Sequence, residues 1–301
     1  MSVRIEPVRP DFVARVSDVD LVNGMDDSTF ALLRRALDDY SILVFADQPM
    51  DDRCQIEFSS WWGQAEPTKG VNPASGTVFA RQSNLDINTG AIIPPDDRRM
   101  AYQTGNYQWH ADSTFKPLPS LCSILTAREV PREGGNTEFV STRTAYDTLS
   151  DELRNTVEDL IVEHDLSFSR GRVGFTFTPE EAALHPPVRH PLLQVNPVTG
   201  RRSLLVGAHA ARIVGWPLEK GRALLDELLA HATTPQAIYS HRWRHGDVVI
   251  WDNRSTLHRA TAYDAARFRR LMQRTTIGNP DVLNTPAYQR IRAQQTSTDN
   301  T

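Results

Sequence analysis

Apolar positions along this chain follow two rhythms. Where they recur every three or four residues, amphipathic helices are predicted. Phe30, Leu32, Leu33, Ala36 and Leu37 follow Asp26-Asp27-Ser28; Ile56, Phe58, Trp61 and Trp62 follow Asp51-Asp52; further helices are predicted over 141–160 and 218–232. The aspartates offer acceptors to first-turn N–H groups that lack an intrahelical partner, and Gly63 is a natural stop for the second helix. Where apolar residues run together or alternate, strands are predicted at 3–8, 42–45, 121–127, from Thr137 onward, and at 203–208, 237–241, 247–251 and 271–277, with 17–22 extended beside the first.

Between these elements the rhythm breaks twice. Residues 66–105 and 168–191 are interrupted by Pro67, Gly70, Pro73, Gly76, Pro94, Pro95 and then Pro179, Pro186 and Pro187. Irregular stretches of that length inside a domain usually serve a functional surface, and both are expected to cover a site. No repeat and no Gly/Ser linker divides the chain, so 1–301 is expected to be one catalytic domain, with 279–301 a flexible polar tail. The expected class is mixed α/β: a β-rich core with helices outside.

Composition removes several functions. The net charge of -4 is spread without basic clusters, so neither nucleic acid nor an anionic membrane is an expected partner. The start, Met1-Ser2-Val3-Arg4-Ile5-Glu6, has no apolar signal core and no run is long enough to span a bilayer, which makes the expected location cytoplasmic. Cys54 and Cys122 are too few for a disulfide framework or a zinc ribbon and are read as reduced. A small solute is the expected partner, and apolar helix surfaces allow a homo-oligomer.

The chemistry concentrates in Trp109-His110-Ala111-Asp112. In an extended segment the period of two puts His110 and Asp112 on one face, where an imidazole and a carboxylate can grip one cation. His258, in the distant Trp251-Asp252-Asn253-Arg254-Ser255-Thr256-Leu257-His258, would complete a three-point face. Two His and one carboxylate with the remaining positions open is the arrangement of non-haem Fe(II) oxygenases. Arg269-Arg270 then falls in a strand-like run, so only one of the pair can point inward, and Arg274 shares the face of Arg270. His185 and His190 sit in a Pro-broken loop without a carboxylate at useful spacing; His241 and His245, four apart, would suit two ligands on a helix, but the segment reads as a strand followed by a Gly246-Asp247 turn, and both are expected at the surface. No nucleophilic triad, phosphate loop or dinucleotide fingerprint is present.

Together with Gly134-Gly135-Asn136-Thr137 and Gly207-Ala208-His209-Ala210, these stretches resemble the taurine and 2,4-dichlorophenoxyacetate dioxygenase family over about Val3 to Ile277, closest to its phenoxyacetate branch. The resemblance implies a double-stranded β-helix, or jelly roll, with helices packed outside. It implies Fe(II) held by His110, Asp112 and His258, with 2-oxoglutarate as co-substrate and dioxygen as oxidant. Thr137 and Arg270 match the 2-oxoglutarate ligands, Arg269 being the rival for the second role. Arg274 matches an arginine that grips the substrate's acidic group; Asn106, His209, Lys69 and Ser113 match positions around the substrate. Trp251-Asp252-Asn253-Arg254 is read as the turn that aims His258. The implied reaction couples decarboxylation of 2-oxoglutarate, to succinate and CO2, with hydroxylation of a small anionic molecule. An aryloxyalkanoate hydroxylated beside its ether oxygen would fall apart into a phenol and a 2-oxo acid, part of aromatic compound catabolism. Alternatives are an alkylsulfonate dioxygenase, a hydroxylase of another carboxylic acid, and a non-catalytic metal- or ligand-binding barrel.

Overall fold

Alternation in three neighbouring strands sorts their side chains between two apolar cores. The structure, a computed structural model, describes residues 3–298. In chain order it begins with β1 (Arg4–Arg9) and β2 (Val13–Ser17), then α1 (Asp27–Tyr40), β3 (Ile42–Phe45) and α2 (Asp52–Trp62). Asp26 and Asp51 cap the two helices as predicted, accepting from Thr29 N and Cys54 N. The extended segment expected at 17–22 lies earlier, at β2, because the Asp20 carboxylate accepts from Val22 N and Asn23 N and turns the chain there. β4 (Phe79–Ser83), α3 (Arg98–Gln103), β5 (Ser120–Glu129) and β6 (Thr137–Ser141) follow. The long helix expected over 141–160 is two, α4 (Thr142–Asp147) and α5 (Asp151–Val157); Ser150 Oγ accepts from Leu153 N and restarts the helix.

Then come β7 (Ile161–His164), α6 (Leu166–Gly171), α7 (Pro179–Ala183), β8 (Val188–Pro191), β9 (Leu193–Val195), β10 (Arg202–Leu204) and β11 (Ala210–Ile213). The chain closes with α8 (Leu218–Ala232), β12 (Tyr239–His241), β13 (Val248–Asp252), β14 (Thr256–Ala260), β15 (Leu271–Gly278) and α9 (Pro286–Thr298). Both segments expected to be irregular thus carry short elements. Over the described part of the segment expected to be a tail, α9 forms, Tyr288 and Ile291 are buried, and Tyr288 Oη lies 3.0 Å from His190 Nδ1. Residues 299–301 lie outside the described residues.

The major sheet has the order β1-β2-β3-β13-β5-β15-β4, antiparallel throughout except for the parallel β2/β3 pair. A second sheet, β12-β6-β14, faces it, with β11-β7-β8 and the β10-β9 pair completing the strand set. This is a double-stranded β-helix with helices outside. In β13, Val248 and Ile250 join the core beneath α1 and α2, whereas Val249 and Trp251 point into the barrel with Val44, Leu125, Phe139 and Met272. β5 and β15 obey the same rule: Ser123 and Leu125 face inward as do Met272 and Arg274, while Thr126 and Thr275 reach α2 through Gln55 and Ser59. A third core beneath α4 and α8, with Val140, Leu225, Leu228 and Leu257, covers the second sheet's outer face. The barrel interior is therefore apolar around Val44, Phe139, Val249 and Met272 and becomes polar where His110, Asp112, Ser123, Thr137, His258, Arg270 and Arg274 enter it.

Candidate active site and metal centre

His110 and His258 are brought together by backbone pairing. His110 N donates to His258 O at 3.0 Å and His258 N to His110 O at 2.8 Å, so a short antiparallel bridge sets both rings side by side. Asp112 enters from the turn after it. His110 Nε2 lies 3.8 Å from Asp112 Oδ1 and His258 Nε2 lies 3.6 Å from Oδ2; one donor atom from each residue falls within 4.8 Å of the others. A carbonyl can only accept, so the 2.8 Å contact of His110 Nδ1 with Gln108 O puts the ring proton on Nδ1 and leaves the Nε2 lone pair facing the triad.

The carboxylate is aimed by a network that the sequence reading assigned only to His258. Asn253 Oδ1 accepts from Asp112 N at 3.0 Å, Asn253 Nδ2 donates to Ser123 Oγ at 2.9 Å, and Ser123 Oγ donates to Asp112 Oδ2 at 2.7 Å. The same motif holds its own turn: Arg254 bonds both Asp252 oxygens and also Asp38. Trp251 packs against the His258 ring with centroids 4.6 Å apart. Ser123 could have been found in the sequence, since it shares the inward face of Leu125.

Electrostatics leave the triad in its ligating form. Burial alone would raise the pKa of Asp112, but the Arg274 guanidinium, the two imidazoles and the Ser123 hydroxyl hold it well below the usual carboxylate range. Burial pushes His110 and His258 down despite the opposing charge of Asp112, keeping both neutral at pH 7. Two neutral imidazoles and an ionised carboxylate converging from one side fit Fe(II) with open positions. Arg274 Nη1 donates to Asp112 Oδ1 at 2.5 Å, so this arginine touches the triad directly.

Two cavities meet at His110 and Arg274. The larger, about 350 Å³, is lined by Thr137, Leu125, Trp251, His258 and Arg270 on its inner side and by Asn106, Tyr107 and Tyr263 toward its mouth. Arg270 is buried, bonds Gln82 O at 3.2 Å and Gly135 O at 3.4 Å, keeps its Nε unpartnered, and meets no carboxylate among the described residues. Arg269 points the other way, exposed and paired with Glu129 at 2.7 Å. Thr137 Oγ1 accepts from Trp243 Nε1 at 2.9 Å, which leaves its own O–H to donate elsewhere.

The smaller cavity, about 80 Å³, lies on the other side of His110 and Asp112 and is lined by Lys69, Asn106, Ser113, Phe115, Arg170, His185, His209 and Arg274. Ser113, at a positive φ of 58°, gives its hydroxyl to Glu66 at 2.7 Å, and Lys116 Nζ reaches the same oxygen at 2.5 Å. Asn106 donates to Gln82 Oε1 at 2.7 Å and lines both cavities. Lys69 is exposed at the rim. His209 is buried: its Nδ1 lies 2.9 Å from Ser169 Oγ, its ring meets Phe115 and His110 edge-on, and burial lowers its pKa. Its position follows from Gly207, whose φ of +120° lets Ala208 N reach Trp109 O at 2.8 Å; a Cβ there would lie 2.9 Å from that oxygen. His241, expected at the surface, is instead buried, edge-on to Trp243 and 3.1 Å from Asp247 Oδ2, because the Arg244–Asp247 turn folds back over it. Arg170 and Gln82, which sequence reasoning missed, lie in the two aperiodic segments.

Against this geometry, the family described as taurine catabolism dioxygenase TauD, TfdA family matches residues 4–276. The chain belongs to this family. It is an iron(II)- and 2-oxoglutarate-dependent dioxygenase, as the donor set and family together require. An α-ketoglutarate-dependent 2,4-dichlorophenoxyacetate dioxygenase of Cupriavidus pinatubonensis (strain JMP 134 / LMG 1197) is 37% identical over 286 residues, 92% of this chain and 98% of that protein. An (S)-phenoxypropionate/α-ketoglutarate-dioxygenase of Sphingobium herbicidovorans is 34% identical over 92% of this chain and 95% of its own length. The crystal structure of AAD-2 in complex with Mn(II) and N-oxalylglycine superposes with a TM-score of 0.86 at 39% identity, covering 93% of this chain and 98% of that one. No helix among the described residues is long and apolar enough to cross a membrane.

Proposed function

We propose that this dioxygenase hydroxylates an aryloxyalkanoate on the carbon between the ether oxygen and the carboxylate, releasing a phenol and a 2-oxo acid. The observation that carries the site assignment is the cavity that joins His110 and His258 of the three-residue face to a buried arginine, Arg270, which meets no carboxylate among the described residues. The aryloxy substrate is supported by relatives at 34–37% identity that act on 2,4-dichlorophenoxyacetate and (S)-phenoxypropionate.

In this reading His110, Asp112 and His258 hold the iron, which when bound supplies the site for co-substrate chelation and for activating dioxygen. Arg270 and the Thr137 hydroxyl hold the distal carboxylate of 2-oxoglutarate. Arg274 faces the acidic group of the substrate, with Asn106, His209, Ser113 and Lys69 around the organic part. Trp251, Leu125 and Phe139 exclude water from the inner cavity. The chain works as one catalytic unit. Segments 66–105 and 168–191 act as covers, a role supported by Lys69, Gln82 and Tyr102 from the first and Arg170 and His185 from the second lining the smaller cavity. Its 80 Å³, the share of two or three waters, is too small for a substituted aromatic ring, so substrate entry would move a cover. A cytoplasmic location is supported by the two unpaired cysteines, and a homo-oligomer by apolar side chains that the helices leave exposed, Leu32, Ile56 and Leu218.

Supplying aryloxy acids and alkylsulfonates with Fe(II), 2-oxoglutarate and air tests the substrate class. Phenol and succinate formed together support it; sulfite with succinate selects the sulfonate reading instead. Light scattering tests the oligomer and cell fractionation the location.

A further inference from the structure

The smaller cavity holds more positive charge than its carboxylates neutralise. Four cations line it, Lys69, Lys116, Arg170 and Arg274, against two carboxylates, Glu66 and Asp112. Lys116 is taken by Glu66 and Arg274 by Asp112, each at 2.5 Å. Lys69 is at the solvent rim, where water serves it. Arg170 is different: only 6% exposed, with Nε unpartnered and no carboxylate or hydrogen-bond acceptor meeting its guanidinium among the described residues. A buried arginine without an anion is costly unless a ligand completes it.

Its pose is built rather than incidental. Arg170 sits on α6, which Asp165 caps through Ser167 N and Phe168 N, and the neighbouring Ser169 bonds both Gln108 Nε2 and His209 Nδ1. The guanidinium stacks on Tyr102 with its carbon 4.6 Å from the ring centroid, and it presses on Gly105 so closely that a Cβ there would lie 1.7 Å from Nη1. A guanidinium stacked by one face keeps its N–H groups in the plane, directed outward as a fork.

We infer that Arg170 is a second anchor for the substrate's acidic group, an oxyanion subsite additional to Arg274 and approached from the helical side of the site. The inference rests on the proposed hydroxylation of a small acid, and under that reading the oxyanion is a planar carboxylate taken bidentately. Arg170 acts by holding substrate, leaving 2-oxoglutarate and iron to the opposite cavity. Its place in a proline-broken segment also couples acid binding to the position of that cover.

The test compares an acid with its uncharged counterpart. Anaerobic protein loaded with Fe(II) and 2-oxoglutarate is titrated with phenoxyacetate and with phenoxyacetamide, following the visible charge-transfer band, for the native chain, Arg170→Gln, Arg170→Lys and Gly105→Ala. Loss of a charge-assisted pair worth about 1.5–3 kcal/mol corresponds to a roughly 10–150-fold weaker acid in Arg170→Gln. Amide affinity and the 2-oxoglutarate titration are expected to stay within about threefold, with Arg170→Lys between. Gly105→Ala, which keeps Arg170 in the sequence but pushes its guanidinium out of position, is expected to lose acid preference too, and decides the matter should Arg170→Gln not fold. Acid and amide weakening in parallel, or neither weakening, overturns the inference, because a merely structural arginine moves both alike. If phenoxyacetate does not bind, the comparison is repeated with an alkylsulfonate and its sulfonamide. Acid preference lost there upholds Arg170 and sinks the aryloxy reading. Phenoxyacetate turnover with undiminished acid preference in Arg170→Gln sinks Arg170 alone, and binding of no acid sinks both.

Discussion

At the residue scale the adjacent arginines 269 and 270 show how far a local rule carries. Only one of two neighbours in an extended run can face a barrel, and the segment leading into β15 buries Arg270 and leaves Arg269 against Glu129 at the surface. Arg270→Ala is therefore expected to raise the 2-oxoglutarate KM roughly 10–150-fold, the equivalent of about 1.5–3 kcal/mol, while Arg269→Ala changes it less than about twofold. Steady-state kinetics on both variants check this, and equal effects would reverse the assignment. Asn253 makes a second case. It touches no donor atom of the triad yet fixes Asp112 through that residue's backbone N–H and through Ser123, so Asn253→Ala is expected to weaken metal binding roughly 10–100-fold. Metal titration followed by intrinsic fluorescence reads this directly; unchanged affinity would reduce the network to scaffolding. The sequence motif announced Asn253 but not its target, because Asp112 and Ser123 reach it only through the closed barrel.

Elements differ in legibility according to whether their signal is local. Caps at Asp26 and Asp51, the apolar run Ile42–Phe45 and the amphipathic stretch Leu218–Ala232 all form where the pattern placed them. The break between α4 and α5 was hidden because apolar spacing continues across it; only the Ser150 cap marks it. Ser150→Ala is expected to cost about 0.5–2 kcal/mol, read as a lower denaturation midpoint with unchanged denaturant slope. β4 and β8 lie in segments without clear periodicity and form through long-range pairing with β15 and β7. α9 was missed for a related reason: its polar sequence carries few apolar positions, and the burial of Tyr288 depends on His190 from β8. Arg170, in the same aperiodic region, could not have been placed at the site by any local rule.

For the whole molecule, the interior is rich in neutral imidazole. Burial lowers the pKa of His110, His164, His209 and His258, and pushes His190 down to about 4. The unfolded chain binds protons at these rings near pH 6.5 while the folded one does not, so stability is full above that pH and is lost as pH falls below it. For His190 alone the loss between pH 6.5 and 4 is about 3 kcal/mol. Thermal unfolding of the metal-free protein from pH 8 to pH 4.5 is expected to show a falling Tm below pH 6.5; a flat profile would mean that these rings are solvated. Of these rings only His110 and His258 belong to the three-residue face beside which the two cavities meet.

The central claim is that His110, Asp112 and His258 hold iron beside a co-substrate gripped by Arg270. The most direct measurement is an anaerobic titration with Fe(II) and 2-oxoglutarate, followed by visible absorbance, on the native chain, Asp112→Ala and Arg270→Ala. The expected result is a charge-transfer band that needs metal and co-substrate together, is lost in Asp112→Ala, and requires far more 2-oxoglutarate in Arg270→Ala. A folded native chain that shows no band, or an Asp112→Ala variant that keeps it, would contradict the account.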